Sequence, residues 1–221
     1  MHDYRKTLGT VGTALIVLGT IDVGVMIYCI AAGKSYHSSF NLFAVVAGVY
    51  LRRGSLLTAR LVAFFSAFYL AGFAALVPIA IILLPFSLTV TVLRLYPVPA
   101  VLWLAFWAGL LAFLRWVYRQ VTSQPALIGL NDERTGFRWL LRGPARGFVS
   151  GVALAAVLLV GTGLLIRGGT AERIRTQARR EMGPGYEYFV ASMSTGTSGT
   201  RGTIIAYNSR EIRQVEVRWE E

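Results

Sequence analysis

The chain has few of the side chains that carry catalysis or bind metals. Its 221 residues include one cysteine, Cys29, and two histidines, His2 and His37. A single cysteine forms no intrachain disulfide, and zinc, haem or iron–sulfur sites need clusters of His and Cys ligands. Acidic residues are also scarce before position 168, so we predict no metal and no cofactor. The four that occur there are Asp3, Asp22, Asp132 and Glu133.

Charge is the second shortage, and it indicates the class of protein. Charged residues make up 15% of the chain, whereas soluble domains carry about 25%. The net charge is +11, but the eight arginines and seven glutamates of residues 168–221 nearly cancel. In membrane proteins Lys and Arg collect in cytoplasmic loops. We therefore expect the positive excess to face anionic lipid head groups, and we predict no nucleic-acid partner.

Long apolar runs predict a mainly α-helical membrane domain over residues 1–167, with about five transmembrane helices. The second run is short for a bilayer core of roughly 30 Å, so it either spans or re-enters the membrane. Residues 87–99 are predicted to form a short interfacial segment. The predicted helices lie near 8–32, 36–51, 56–85, 99–120 and 148–166.

The distribution of positive charge predicts the orientation. If all five segments cross, Lys34 and Arg94 are the only basic residues in the short loops of one side. The positive-inside rule then places the N-terminus in the cytoplasm and the tail in the periplasm or outside the cell. This asymmetry favours a true span for residues 36–51. The basic residues of the other side are Arg5, Lys6, Arg52, Arg53, Arg60, Arg115, Arg119, Arg134, Arg138, Arg142 and Arg146.

Two rows of small residues predict close helix packing. Such rows let helix backbones approach each other in lipid, where the hydrophobic effect does not drive association. The first row lies in the third predicted helix and the second at the beginning of the fifth. They consist of Ala59, Ala63, Ala67, Ala71 and Ala75, and of Gly143, Gly147, Gly151 and Ala155.

Residues 168–221 differ in kind and predict a small extramembrane α+β tail. Residues 171–182 have a helical stripe of Ile174, Ala178 and Met182, and Gly183-Pro184-Gly185 ends the helix. Three β-type runs follow, which predict a three-stranded antiparallel meander covered on one face by the helix. The predicted strands are 187–194, 201–207 and 212–219.

The tail is where we expect a partner to bind. We predict that the last strand is an edge, because it ends the chain's alternating pattern, and edge strands readily accept another strand. Val215, Val217 and Trp219 alternate onto one face of that strand. The sheet face away from the helix is predicted to be aromatic and partly exposed. Its predicted members are Tyr186, Tyr188, Val190, Ile205 and Tyr207.

Asp22 and Arg60 are the intramembrane polar candidates. A carboxylate in the middle of the first helix is costly in lipid and usually faces other helices or water. Asp22 is therefore either a proton or cation site, or an arginine's partner, or a structural hydrogen-bonding group near Ser38, Ser39 and Asn41. Arg60 lies close enough to the cytoplasmic end for its side chain to reach the surface.

An arginine repeat in the 121–147 loop predicts a short amphipathic helix on the membrane surface. Arginines recur every fourth residue with apolar residues between them, as in helices that bind an anionic leaflet. Ordinary positive-inside charge without a helix is the alternative. The lipid-surface candidates are Arg134, Arg138, Trp139, Arg142 and Arg146.

Two stretches carry resemblances. The order of Asp22, SYHSSFN, AGVYLRRGSLLTARLV, LLPF and WVYRQ resembles small polytopic bacterial membrane proteins and implies a membrane location without a particular activity. The tail, ARREMGPGYEYFVASMS followed by RGTIIAYNSREIRQVEVRW, resembles the soluble domain of the cytochrome oxidase assembly factor family. That resemblance implies a helix-plus-strands module and an accessory role. The multi-helix body departs from that family's single span, and no family residue is carried over.

These observations lead to a non-enzymatic scaffold or accessory protein of a membrane complex, with a membrane protein or a second copy as its partner. The alternative is a small transporter or channel that uses Asp22. An intramembrane enzyme ranks third, since the sequence has neither GxSxG nor HExxH.

Overall fold

The computed structural model describes residues 2–36, 41–123, 143–196 and 199–219. These ranges are mostly helical and end in a small sheet, which confirms the predicted fold class in outline. The helices are α1 (His2–Ala31), α2 (Asn41–Arg52), α3 (Leu56–Leu83), α4 (Phe86–Leu95), α5 (Pro97–Val121), α6 (Gly143–Arg167) and α7 (Gly169–Met182). The strands are β1 (Glu187–Gly196), β2 (Gly199–Tyr207) and β3 (Ile212–Trp219).

Four helices in the described ranges are long and apolar enough to cross a membrane. Helix α2 differs, since its 12 residues extend only about 18 Å at a rise of 1.5 Å per residue. Helix length alone therefore leaves the predicted fifth span undecided. The four segments are Tyr4–Ala31, Leu56–Leu83, Pro97–Val121 and Pro144–Leu164.

The chain forms two compact units. The first comprises Met1–Phe73 and Leu110–Val152, and the second comprises Ala74–Gly109 and Ala153–Glu221. Helices α3, α5 and α6 therefore contribute residues to both units. The predicted boundary at residue 167 divides the chain by its surroundings, into a membrane domain and an extramembrane tail. The two compact units are defined by contacts within the chain. They do not test that boundary, which stays a prediction.

In the first unit, α1 and α2 pack antiparallel through a pair of glycines. A Cβ on Gly12 would lie 2.6 Å from the carbonyl oxygen of Gly48, and the reverse distance is the same. Gly54, just after α2, lies against the side chain of Arg5. The chain thus returns from the end of α1 to its beginning. Backbone contact this close needs glycine at both positions, because a side chain would separate the helices.

The two predicted rows of small residues meet each other in this unit. A Cβ on Gly147 would lie 2.5 Å from the carbonyl oxygen of Phe64, and one on Gly151 would lie 2.3 Å from that of Phe68. Ala67 and Ala71 line the same contact. The contact positions rise together along both helices, so α6 runs parallel to α3. The prediction of close packing at these rows is confirmed for the described residues.

Helix α5 completes the core of the first unit. Val117 and Val121, near its end, are buried in one cluster with Leu8 of α1 and Ala59 of α3. These two partners lie near the beginnings of their helices, so α5 ends where α1 and α3 begin. Helices α2 and α5 therefore run opposite to α1, α3 and α6.

In the second unit, the strands form the predicted antiparallel meander in the order β1-β2-β3. Helix α7 covers one face, where Ile174 and Ala178 are buried with Ile204 and Val217. Ile174 reaches this position because Gly202 has no side chain, since a Cβ there would lie 2.8 Å from it. Helix α7 ends at Met182, and the next residue, Gly183, has a φ of 87° that favours glycine.

The second face of the sheet is not left open, which corrects the predicted exposed aromatic face. Tyr207 and Phe189 are buried against Leu88 of α4, with Ile205 partly buried beside them. Tyr188 and Val190 instead share the α7 face, packed with Ile174. The predicted face combined residues of both faces because of the register between β1 and β2. Tyr188 pairs with Ala206 and Val190 with Ile204, so these residues share one face. Ile205 and Tyr207 therefore lie on the opposite face.

Candidate functional site

A cluster of three polar side chains joins the second face of the sheet to α4. The Ser87 hydroxyl donates a hydrogen bond to Glu187 Oε2 at 2.7 Å, and the Tyr207 hydroxyl donates to the same oxygen at 2.6 Å. The two hydroxyl oxygens lie 2.9 Å apart. Pro85 sets the position of Ser87, because it separates α3 from α4 and leaves the serine in the first turn of α4.

The hydrogen bonds determine the charge of this cluster. The donated bonds from Tyr207 and Ser87 stabilise the carboxylate and hold the pKa of Glu187 below its usual value. Burial, with the bond to the carboxylate as the second cause, raises the pKa of Tyr207. Glu187 is therefore a carboxylate at neutral pH, and Tyr207 keeps its proton.

A cleft of about 340 Å³ opens beside the cluster. Its polar side includes Ser87, Glu187 and Tyr207, and Arg94 lies on the same side of α4 two turns after Ser87. Phe86 and Val90 give the cleft an apolar side. The remaining lining residues are Thr91, Asn208 and Ser209.

The chemistry of this cleft favours binding over catalysis. Ser87 has a carboxylate as its hydrogen-bond partner, but the lowered pKa of Glu187 makes that group a weak general base. Activated serines usually have an adjacent base whose pKa is near neutral. Among the described residues, no three potential metal ligands come together. Opposite charges beside apolar side chains are instead suited to holding an amphipathic ligand.

A second polar cluster fixes the turn between β2 and β3. The Tyr186 hydroxyl donates to Glu211, which also forms an ion pair with Arg213 at 2.9 Å. The Arg213 guanidinium lies 5.9 Å from the centre of the Tyr186 ring. The bond from Tyr186 is the main cause that raises the pKa of Tyr186 and lowers that of Glu211. Asn208 completes the turn by accepting two backbone hydrogen bonds at 2.9 Å.

Several predicted partner-binding residues serve the tail's own core. Tyr207 and Val217 are buried, and Val215 packs beside Val217. The Tyr188 hydroxyl donates to the carbonyl oxygen of Gly183 at 2.5 Å. Tyr186 is half-buried in the turn cluster. The side chain of Trp219 lies outside the described part of the structure, so its alternation with Val215 and Val217 stays a prediction.

Asp22 has a hydrogen-bond donor that the sequence did not single out. The Tyr36 hydroxyl, which follows α1 by a short turn, donates to Asp22 Oδ1 and lies 3.3 Å from the Asp22 carbonyl oxygen. Both side chains are partly buried. The structural alternative for Asp22 thus gains a hydrogen-bond partner in Tyr36. Ser38, Ser39 and the side chain of Asn41 lie outside the described part of the chain, so the predicted bond to one of them stays a prediction.

Arg60 lies in the described part of α3, whereas most of the lipid-surface candidates lie outside the described residues. Arg60 is 9% exposed, on the buried side of α3 between Ala59 and Val62. Arg146 lies in the first turn of α6 and is partly buried. The other members of the predicted surface helix are outside the described residues, so that helix stays a prediction. They are Arg134, Arg138, Trp139 and Arg142.

Sequence reasoning missed the cluster at Ser87, Glu187 and Tyr207. Ser87 and Glu187 are separated by 100 positions, and no sequence spacing joins an interfacial helix to a strand that far away. One signal for a polar contact was available in the sequence. Glu187 is a charged residue at the beginning of a predicted strand, on a face that is otherwise apolar.

Comparison of the chain with protein-family models, with curated proteins and with solved structures finds no match. The described helices and sheet therefore define the class only broadly. Four long apolar helices are what a multi-pass membrane protein requires, and the small sheet module is the part outside those helices.

Proposed function

We propose that this chain is a non-enzymatic multi-pass membrane protein that serves as a scaffold or accessory subunit of a membrane complex, and that its partner docks on β3. The observation that carries the proposal is the strand order, since β3 pairs only with β2 in the described sheet. An edge strand has a row of backbone groups that a partner's strand can bind.

The two edges of the sheet are not equivalent. The β1–β2 register is interrupted by a bulge between Val190 and Ser192, and bulges protect an edge against pairing. The β2–β3 register runs without a break from Thr200–Trp219 to Tyr207–Ile212. A regular strand of 8 residues is the better template for an added strand. The exposed Arg213, Gln214 and Glu216 supply charge and hydrogen bonds for selecting the partner.

The proposal includes five crossings, with the N-terminus in the cytoplasm and the tail in the periplasm or outside the cell. The contact of Gly54 with Arg5 supports the second crossing. Gly54 follows α2 and Arg5 lies near the beginning of α1, so the chain travels back along the whole length of α1. If α1 crosses the membrane, the returning chain crosses it as well. In this proposal α2 belongs to the second crossing, and Lys34 lies in the loop before it. The opposite directions of α2 and α5 relative to α1, α3 and α6 are those of a five-pass protein.

The charges agree with this orientation. Arg5, Arg53 and Arg119 lie at the ends of helices that share one end of the first unit. Lys34, beyond the end of α1, belongs to the other side. We place the arginine-rich end in the cytoplasm.

A small transporter that uses Asp22 is the alternative, and it has less support. Transporter sites usually join polar groups from two or more helices or from internal repeats. The donor described for Asp22 is Tyr36, which follows the same helix. This bond holds the chain that follows α1 against that helix, which is a structural role.

Photo-crosslinking in the full chain tests the proposed docking edge. A photoreactive phenylalanine analogue is placed at Gln214 on β3, at Ser192 on β1 and at Thr176 on α7, all of which are exposed. We expect a specific adduct from position 214 in native membranes, and none from 192 or 176. Adducts of equal yield from all three positions, or none from 214, would refute docking on β3. Deleting residues 183–221 is a less sharp test, because it also removes the sheet that packs against α4.

A further inference from the structure

The cleft beside Glu187 combines features that the proposed function does not use. It has a carboxylate and a guanidinium on its polar side, from Glu187 and Arg94, and an apolar side formed by Phe86 and Val90. Although the two charged groups line the same cleft, they form no ion pair with each other in the described structure. The cleft thus presents two opposite charges that do not neutralise each other directly.

The carboxylate retains a free oxygen for a ligand. Ser87 and Tyr207 both donate to Glu187 Oε2, and within the described residues Oε1 accepts no hydrogen bond. The two bonds fix the carboxylate in place, and an ordered carboxylate with one open oxygen is a good acceptor for an ammonium group. Arg94 likewise has no carboxylate partner in the described ranges, and guanidinium groups bind phosphate well.

The location of α4 indicates which ligand is available. Leu83 ends one apolar helix and Pro97 begins the next, so α4 connects two candidate spans at their ends. Its buried side carries Leu88 against the sheet, whereas Phe86 is 82% exposed and Val90 is 44% exposed. An apolar helix face beside two spans is expected to lie in the head-group region of the bilayer. The cleft is therefore next to lipid, with its apolar side toward the acyl chains.

We propose that this cleft binds a zwitterionic phospholipid whose head group carries a phosphate and a primary ammonium, as in phosphatidylethanolamine. The phosphate binds Arg94, the ammonium binds Glu187, and the first part of an acyl chain packs on Phe86 and Val90. The site does not depend on partner docking at β3, so either proposal can fail without the other.

Lipid titration of the purified full chain, followed by native mass spectrometry, tests the site. The probes are short-chain phosphatidylethanolamine, phosphatidylglycerol and free phosphoethanolamine. We expect one phosphatidylethanolamine to bind preferentially. Arg94→Gln should lower the affinity for both lipids about tenfold. Glu187→Gln should lower the affinity for phosphatidylethanolamine about tenfold and leave the affinity for phosphatidylglycerol unchanged. Arg180→Gln and Glu181→Gln, on the exposed side of α7, should have no effect.

Tyr207→Phe separates a lost ligand contact from a lost fold. It removes one hydrogen bond from Glu187 but keeps the carboxylate, so the preference for phosphatidylethanolamine should survive in this variant and disappear in Glu187→Gln. If both variants lost the preference for phosphatidylethanolamine equally, the role of Glu187 would be structural only and the proposal would be overturned. Free phosphoethanolamine that binds as tightly as the lipid, or wild-type protein that binds the two lipids equally, would also overturn it.

Discussion

The contact between α3 and α6 gives the sharpest stability prediction, through Gly151→Ala. The new Cβ would lie 2.3 Å from the carbonyl oxygen of Phe68, and ordinary contact begins at 3.4 Å. The helices must therefore separate locally by about 1.1 Å, which is 3.4 minus 2.3. When the helices separate by that distance, nearby atom pairs lose about a quarter to half of their dispersion energy. Forced overpacking of this kind typically costs about 1–3 kcal/mol.

Gly161→Ala in the same helix is the matched control. Nothing lies within 4 Å of a Cβ at that position, so the substitution changes only the backbone propensity. Replacing glycine by alanine in a helix interior gains about 1 kcal/mol, and both variants share this gain. We expect Gly151→Ala to be less stable than Gly161→Ala by about 1–3 kcal/mol in detergent unfolding titrations. Equal stability of the two variants would refute the close packing of α3 on α6.

Three further predictions concern Asp22, Glu187 and Ile174. Asp22→Asn should unfold at the same denaturant concentration as wild type, because its amide oxygen still accepts a hydrogen bond from Tyr36. Asp22→Leu should lower the free energy of unfolding by about 1–3 kcal/mol. A loss of activity in a stably folded Asp22→Asn would instead favour the transport alternative. The lowered pKa of Glu187 stabilises the tail at pH values above the usual carboxyl pKa of 4.5. This stabilisation should be lost as the pH falls through the folded-state pKa, so the stability of Glu187→Gln should depend less on pH in that acidic range. The same pH profile in both proteins would contradict the cluster. Ile174→Ala should destabilise the tail by about 2–5 kcal/mol, because Ile174 is fully buried over Gly202; a cost below about 0.5 kcal/mol in hydrogen exchange of the sheet would contradict that packing.

The parts of the fold that could be predicted depend on local sequence patterns. Apolar length predicted the long helices, and the Gly183-Pro184-Gly185 stop with alternation after it predicted the meander. The small-residue rows predicted which faces of α3 and α6 would pack closely, because spacing by four residues defines a helix face. They did not predict that these two faces would pack on each other. Each of these signals lies within one element.

The parts that could not be predicted depend on contacts between distant elements. The sequence did not indicate that α4 would cover the second sheet face, so Ile205 and Tyr207 were expected to be partly exposed. Tyr188 was assigned to the wrong face because a one-residue shift of register exchanges the faces of a strand. Tyr36 was overlooked as the donor to Asp22, since the two residues are 14 positions apart and no local pattern joins a loop residue to the middle of the preceding helix.

We propose a five-pass protein whose N-terminus lies in the cytoplasm and whose tail lies in the periplasm or outside the cell. Alkaline phosphatase, which is active only in the periplasm, tests this directly when fused after Glu221 and, separately, within the 121–147 loop. We expect activity from the fusion at Glu221 and none from the loop fusion. An inactive fusion at Glu221 together with an active loop fusion would contradict the orientation and the crossing by α2 on which it depends.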